Sequence, residues 1–71
     1  MANDATKRFV ELLEEDAALA KKRAENWAKL AEHEARLEDL EGNTIATAEQ
    51  MVECFRSEEK RLRDMIAACE K

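Results

Sequence analysis

At 71 residues the chain is limited to one domain, and a core of that size rarely supplies more than about 3–5 kcal/mol, so a second copy or a covalent staple is expected to help. Charged residues make up 41% of the sequence and aromatics 4%, with no proline and one glycine, which is the composition of long helices and coiled coils rather than of a strand-rich or disordered chain. The net charge of −5 disfavours non-specific attraction to nucleic acid or anionic membrane and favours basic partners.

The first helix is expected over about residues 4–41, capped by Asn3 or Asp4 and about 57 Å long. At 100° per residue, Phe9, Leu12, Leu13, Leu19, Trp27 and Leu37 share one half of its surface, with Val10 and several alanines on the flank. An apolar arc near 180° is wider than one neighbouring helix covers, so contact with at least two others is expected. Leu40-Glu41-Gly42-Asn43-Thr44 then reads as helix stop, turn and helix start, with the turn at 42–44.

The second helix is expected over about 45–70, starting at Thr44 or at Thr47, where Thr47-Ala48-Glu49-Gln50 has the form of a capping box. Ala48, Val52, Phe55, Glu59, Leu62, Ile66 and Cys69 follow at alternating steps of four and three, with Met51 and Met65 beside them. Only Glu59 interrupts this seam. The short connection makes the helices antiparallel, so 1–71 reads as one all-α two-helix hairpin. Because two such helices cannot surround their own apolar faces, a dimeric four-helix bundle or coiled coil is expected. The plan resembles the small dimeric hairpins typified by the plasmid RNA-binding protein Rop, in architecture alone and without a shared motif.

Antiparallel pairing about Asn43 would set residue i beside a residue numbered about 86 minus i. Glu59 would then face Trp27, with Arg23 one turn away, and Arg23 or the Trp27 indole N–H is its expected buried partner unless a subunit interface supplies another. The first turns of helix 1, carrying Phe9, Val10, Leu12 and Leu13, would overhang the hairpin and need cover from a second copy or a target. With Trp27, Val52, Phe55, Leu62 and Ile66, these residues form the expected oligomer and partner interface.

Arg56, Lys60 and Arg63 recur along one ridge of helix 2 as candidate phosphate contacts, although Glu49, Glu53 and Glu59 lie within helical reach and would pair with them. His33, Cys54 and Glu58 are a poor zinc set, since real sites have paired ligands at close spacing; neither metal nor cofactor is expected. The carboxylates read as solvated faces without a cleft, so the chain is not expected to be an enzyme. No apolar run approaches the ~18 residues of a membrane span, and Met1 to Thr6 lacks a signal-peptide core. Cys54 and Cys69 would lie ~22 Å apart on one helix, beyond disulfide reach, and free thiols suit a cytoplasmic setting.

These features describe a small acidic interaction module that oligomerises and occupies a surface on another protein, as an adaptor, assembly chaperone or inhibitor; its size suggests a phage or bacterial source. The alternative is nucleic-acid or small-ligand binding by a Rop-like hairpin dimer.

Overall fold

A computed structural model describes residues 3–70. Helix α1 spans Asp4–Ala31, strand β1 Arg36–Glu38, strand β2 Thr44–Thr47 and helix α2 Ala48–Cys69. The two helices pack against each other as an antiparallel hairpin, in a molecule measuring 52 × 22 × 14 Å. Asn3 caps α1, its Oδ1 accepting the Thr6 N–H at 2.8 Å. Thr47 caps α2 through the expected capping box, in which its hydroxyl oxygen accepts the Gln50 N–H and the Gln50 side chain accepts the Thr47 N–H.

Between the helices the structure departs from the sequence expectation. Helix α1 ends at Ala31 rather than Glu41, and the turn at 42–44 belongs to a β-hairpin rather than to a helix–helix connection. The stop is made at Glu34, which adopts a left-handed backbone (φ 56°) and lets Ala35 N–H reach Leu30 O at 3.2 Å while Glu34 N–H reaches Ala31 O at 3.1 Å. This is the six-to-one, five-to-two pattern that satisfies the last carbonyls of a helix. It usually recruits glycine or asparagine, so a glutamate there gives no warning in the sequence.

Strands β1 and β2 pair antiparallel, with Arg36 opposite Thr47, Leu37 opposite Ala46 and Glu38 opposite Thr44, leaving Ile45 as the extra residue of a bulge. Thr44, Ile45 and Thr47 are β-branched and favour an extended backbone. The hairpin closes with Gly42 N–H donating to Asp39 O at 3.1 Å and Gly42 itself at φ 84°, so the one glycine does hold a left-handed position, but in a strand turn. Asp39 organises that turn. Its Oδ1 accepts the Asn43 and Glu41 backbone N–H groups at 2.8 and 3.0 Å, and its Oδ2 accepts the Asn43 side-chain amide at 3.3 Å. The Asn43 backbone hydrogen bond, outweighing the opposing effect of desolvation, holds the Asp39 carboxyl below its ordinary pKa.

The earlier stop of α1 resets the helix register. Arg23 lies over the Phe55 ring, 5.8 Å from its centroid, where a turn at Asn43 would have set it beside Arg63. Leu13 and Ala17 pack with Leu62 and Ile66, with Val10 and Cys69 against them. The helices are thus displaced by about two turns from the expected alignment. Of the eight buried hydrophobic residues among those described, Ala17, Ala20, Ala24 and Ala48 are alanines, which let the helix axes approach closely but add little apolar area each.

Two outcomes follow from the connection. Glu34→Gly removes the left-handed strain of an L side chain and should raise stability by about 0.5–1 kcal/mol in chemical denaturation, whereas Glu34→Val should lower it. For Asp39 the folded-state pKa is depressed, so its stabilisation is present above the unfolded carboxylate value of about 3.9 and is lost as pH falls through the folded value. An NMR titration should place the Asp39 midpoint below the ordinary range, with the Asn43 amide following it; Asp39→Asn should abolish that amide response.

Candidate interaction surface

The hairpin has two unlike faces, and helical periodicity decides which residues lie on each. Grooves on one side are lined by Glu14, Ala18, Arg63, Ala67 and Glu70, and further along by Ala28, Glu53 and Arg56. On both helices most of these positions directly follow a seam residue such as Leu13, Ala17, Val52, Leu62 or Ile66. The positions that precede seam residues therefore lie together on the opposite side. There α1 presents Phe9, Leu12, Leu19 and Leu30, between 42% and 48% exposed, beside half-buried Trp27. Helix α2 adds half-buried Met51, exposed Cys54 and Met65, which is 40% exposed.

The first side is charged and the second largely apolar. The chain exposes 5718 Å² of surface, whereas a compact monomer of 8.1 kDa exposes about 4,500 Å². That excess is larger than the about 800 Å² per partner that a standard interface removes.

The expected interface residues divide between core and surface. Leu13, Val52, Leu62 and Ile66 are buried within the hairpin, and Val10 packs against the core, so they do not form an outer contact surface. The anticipated overhang is correspondingly corrected: with α1 ending at Ala31, the C-terminal half of α2 covers Leu13 and Val10, leaving Phe9 and Leu12 exposed. Trp27 and Phe55 are half-buried. Sequence reasoning missed Leu40 and Ile45 of the β-hairpin, which are 103% and 67% exposed, and set Leu37, 40% exposed in strand β1, on the apolar arc of a helix; the Thr44-Ile45-Ala46-Thr47 run beside Gly42, rich in β-branched residues, was the available signal.

The Glu59–Arg23 pair does not form. Glu59 Oε2 instead accepts from Arg63 Nε at 2.8 Å, one turn along its own helix, while Arg23 lies on Phe55. The displaced register removes Trp27 from the position opposite Glu59, and the glutamate, 21% exposed, leans to the rim of the seam where Arg63 reaches it. The basic ridge is also engaged within α2, since Lys60 donates to Asp64 at 3.2 Å and Arg63 to Glu59, leaving Arg56 in the groove with Glu49 and Glu53. His33 lies in the turn after α1, whereas Cys54 and Glu58 lie on the flank of α2; among the described residues no group of three or more His, Cys, Asp or Glu side chains is placed to hold a metal. Both cysteines are free thiols, Cys54 exposed and Cys69 half-buried. Among the described residues no helix is long and apolar enough to cross a membrane.

Comparison of the chain with protein families, with curated proteins and with solved structures gives no match in any of the three.

Because Glu59 occupies a seam position with only an intrahelical, solvent-accessible partner, Glu59→Leu should extend the apolar seam from Phe55 to Leu62. Its expected effect is a gain of about 1 kcal/mol, read as a higher melting temperature by circular dichroism.

Proposed function

We propose that the chain is a small non-catalytic protein–protein interaction module that works as a homodimer and, in that form, occupies a surface on another protein as an adaptor, assembly chaperone or inhibitor. The observation that carries this reading is the contrast between the two faces of the hairpin, with Phe9, Leu12, Leu19 and Leu30 in water on one side and charged residues on the other. Two such hairpins stacked through their apolar faces make a four-helix bundle, which supplies the burial that an alanine-rich two-helix core lacks. The β-hairpin, at the end of the helix pair, remains outside that contact and offers Leu37, Leu40 and Ile45 to a target.

The nucleic-acid alternative has weaker support. Lys60 and Arg63 are already engaged by carboxylates on their own helix, which lowers the positive potential available to a phosphate backbone.

Light scattering coupled to gel filtration should give twice the 8.1 kDa chain mass at micromolar concentration. Phe9→Asp combined with Leu12→Asp should yield a monomer that retains most of its helicity, since neither side chain belongs to the hairpin core. A wild-type monomer with a sharp cooperative melt would overturn the dimer. For the target, capture from lysate with Leu40→Asp as the comparison should recover a protein that withstands nuclease and is lost with the substitution; nuclease-sensitive recovery would favour the alternative.

A further inference from the structure

The apolar face is not uniformly apolar, and its charges are placed symmetrically. On α1 the outward positions Phe9, Leu12, Asp16, Leu19, Arg23, Asn26 and Leu30 follow the heptad steps of the buried seam, one residue earlier. About the midpoint between Leu19 and Ala20, Phe9 mirrors Leu30 and Asp16 mirrors Arg23, while Leu12 falls level with the seam residue Trp27, beside Asn26. On α2 the outward positions are Met51, Cys54, Glu58, Arg61, Met65 and Ala68. Their midpoint falls between Glu59 and Lys60, where Met51 mirrors Ala68, Cys54 mirrors Met65, and Glu58 mirrors Arg61.

The register of the hairpin puts these two midpoints at one level. Leu13 and Ala17 pack with Leu62 and Ile66, and Arg23 lies over Phe55, which sets Ala20 level with Glu59. A single two-fold axis in the plane of the face, at right angles to the helices, therefore passes both. None of the four charges is matched by an opposite charge among the described residues, Arg23 lying over the Phe55 ring. Among the described residues, Asp16, Arg23, Glu58 and Arg61 enter none of the ion pairs, which all join other residues.

Resting on the homodimer reading above, we infer that the second copy docks about this axis, α1 antiparallel on the partner's α1 and α2 on the partner's α2. Asp16 then meets the partner's Arg23 and Glu58 meets the partner's Arg61. Each pair occurs twice by symmetry, as an isologous interface requires. Leu19 meets the partner's Leu19 at the axis, and Phe9 meets the partner's Leu30. The other two-fold arrangement, with α1 on the partner's α2, would set Leu19 against the charged partner's Glu58 and the partner's Arg61. The first alone sets leucine on leucine at the axis and each charge level with its opposite, since the other offsets Asp16 and Arg23 by about two residues from the partner's Arg61 and the partner's Glu58.

Sedimentation equilibrium on four proteins tests this: wild type, Asp16→Arg, Arg23→Asp and the double exchange, with circular dichroism to check that these exposed substitutions leave the hairpin helical. Each single reversal opposes like charges at two places and should raise the dimer Kd by about one to two orders of magnitude, more at low salt. The double exchange should restore it to within about threefold of wild type. If the double exchange is weaker than either single, α1 lies on the partner's α2, and the inferred axis is wrong. If all four dimerise equally, the dimer uses another surface and the inference fails although the homodimer stands. If wild type is monomeric, the homodimer reading itself fails. As a second readout, Leu19→Cys in a Cys54→Ser, Cys69→Ser background should form a disulfide-linked dimer on mild oxidation. Leu30→Cys in the same background should not, its sulfur lying ~31 Å along the axis from its symmetry mate. Crosslinking at position 30 but not 19 would overturn the antiparallel arrangement.

Discussion

Everything in this hairpin depends on where α1 stops. The left-handed Glu34 and the hydrogen bond from Ala35 N–H to Leu30 O end the helix after Ala31, and the strand ladder continues to Ala48 N–H, which donates to Ala35 O at 3.0 Å. The capping box at Thr47 then opens α2 without an intervening loop. With one end of each helix tied to a two-stranded ladder, α2 cannot slide along α1 without breaking backbone hydrogen bonds. The connection therefore acts as a register lock, and the strained glutamate is one element of that lock.

Register in turn decides what the core contains. Ala17, Ala20 and Ala24 line the middle of α1's buried stripe, and the branched side chains are concentrated toward its two ends, at Leu13, Leu62 and Ile66 and at Val52. A seam built this way is narrow. It brings the helices close, but it leaves the larger apolar residues of α1 on the shoulder of the contact, where one neighbouring helix cannot reach them. The excess exposed surface is a consequence of that geometry, not of a loose fold.

The charges divide along the same line. On the charged face and its rim, Lys60 with Asp64 and Arg63 with Glu59 are paired one turn apart, the economical arrangement for solvated helices and one that contributes only about 0.3–0.5 kcal/mol each. On the apolar face the charges stand unpaired between leucines and methionines. Isolated charges in such a setting contribute little to the stability of a monomer, but they discriminate strongly between ways of covering it. The two faces thus differ in how their charges are engaged.

Much of this was legible in the sequence. The caps at Asn3 and Thr47, the seam of α2, the left-handed glycine at 42 and the antiparallel hairpin all follow from local chemistry, because capping, glycine conformation and helical periodicity act over four residues or fewer. The end of α1 was not legible, since Glu32 to Glu41 consists of residues that suit a helix and the stop falls on a glutamate that only the paired strands hold in place. The register error that followed was invisible to periodicity for a definite reason. A displacement of about seven residues is two helical turns, so the seam keeps its phase and the same residues face inward in either alignment. Sequence alone determined the seam of α2 and the apolar half of α1; the tertiary structure decided that only the Leu13, Ala17, Ala20 and Ala24 edge of that half is buried, because one neighbouring helix covers no more, and the strand ladder decided which residues meet.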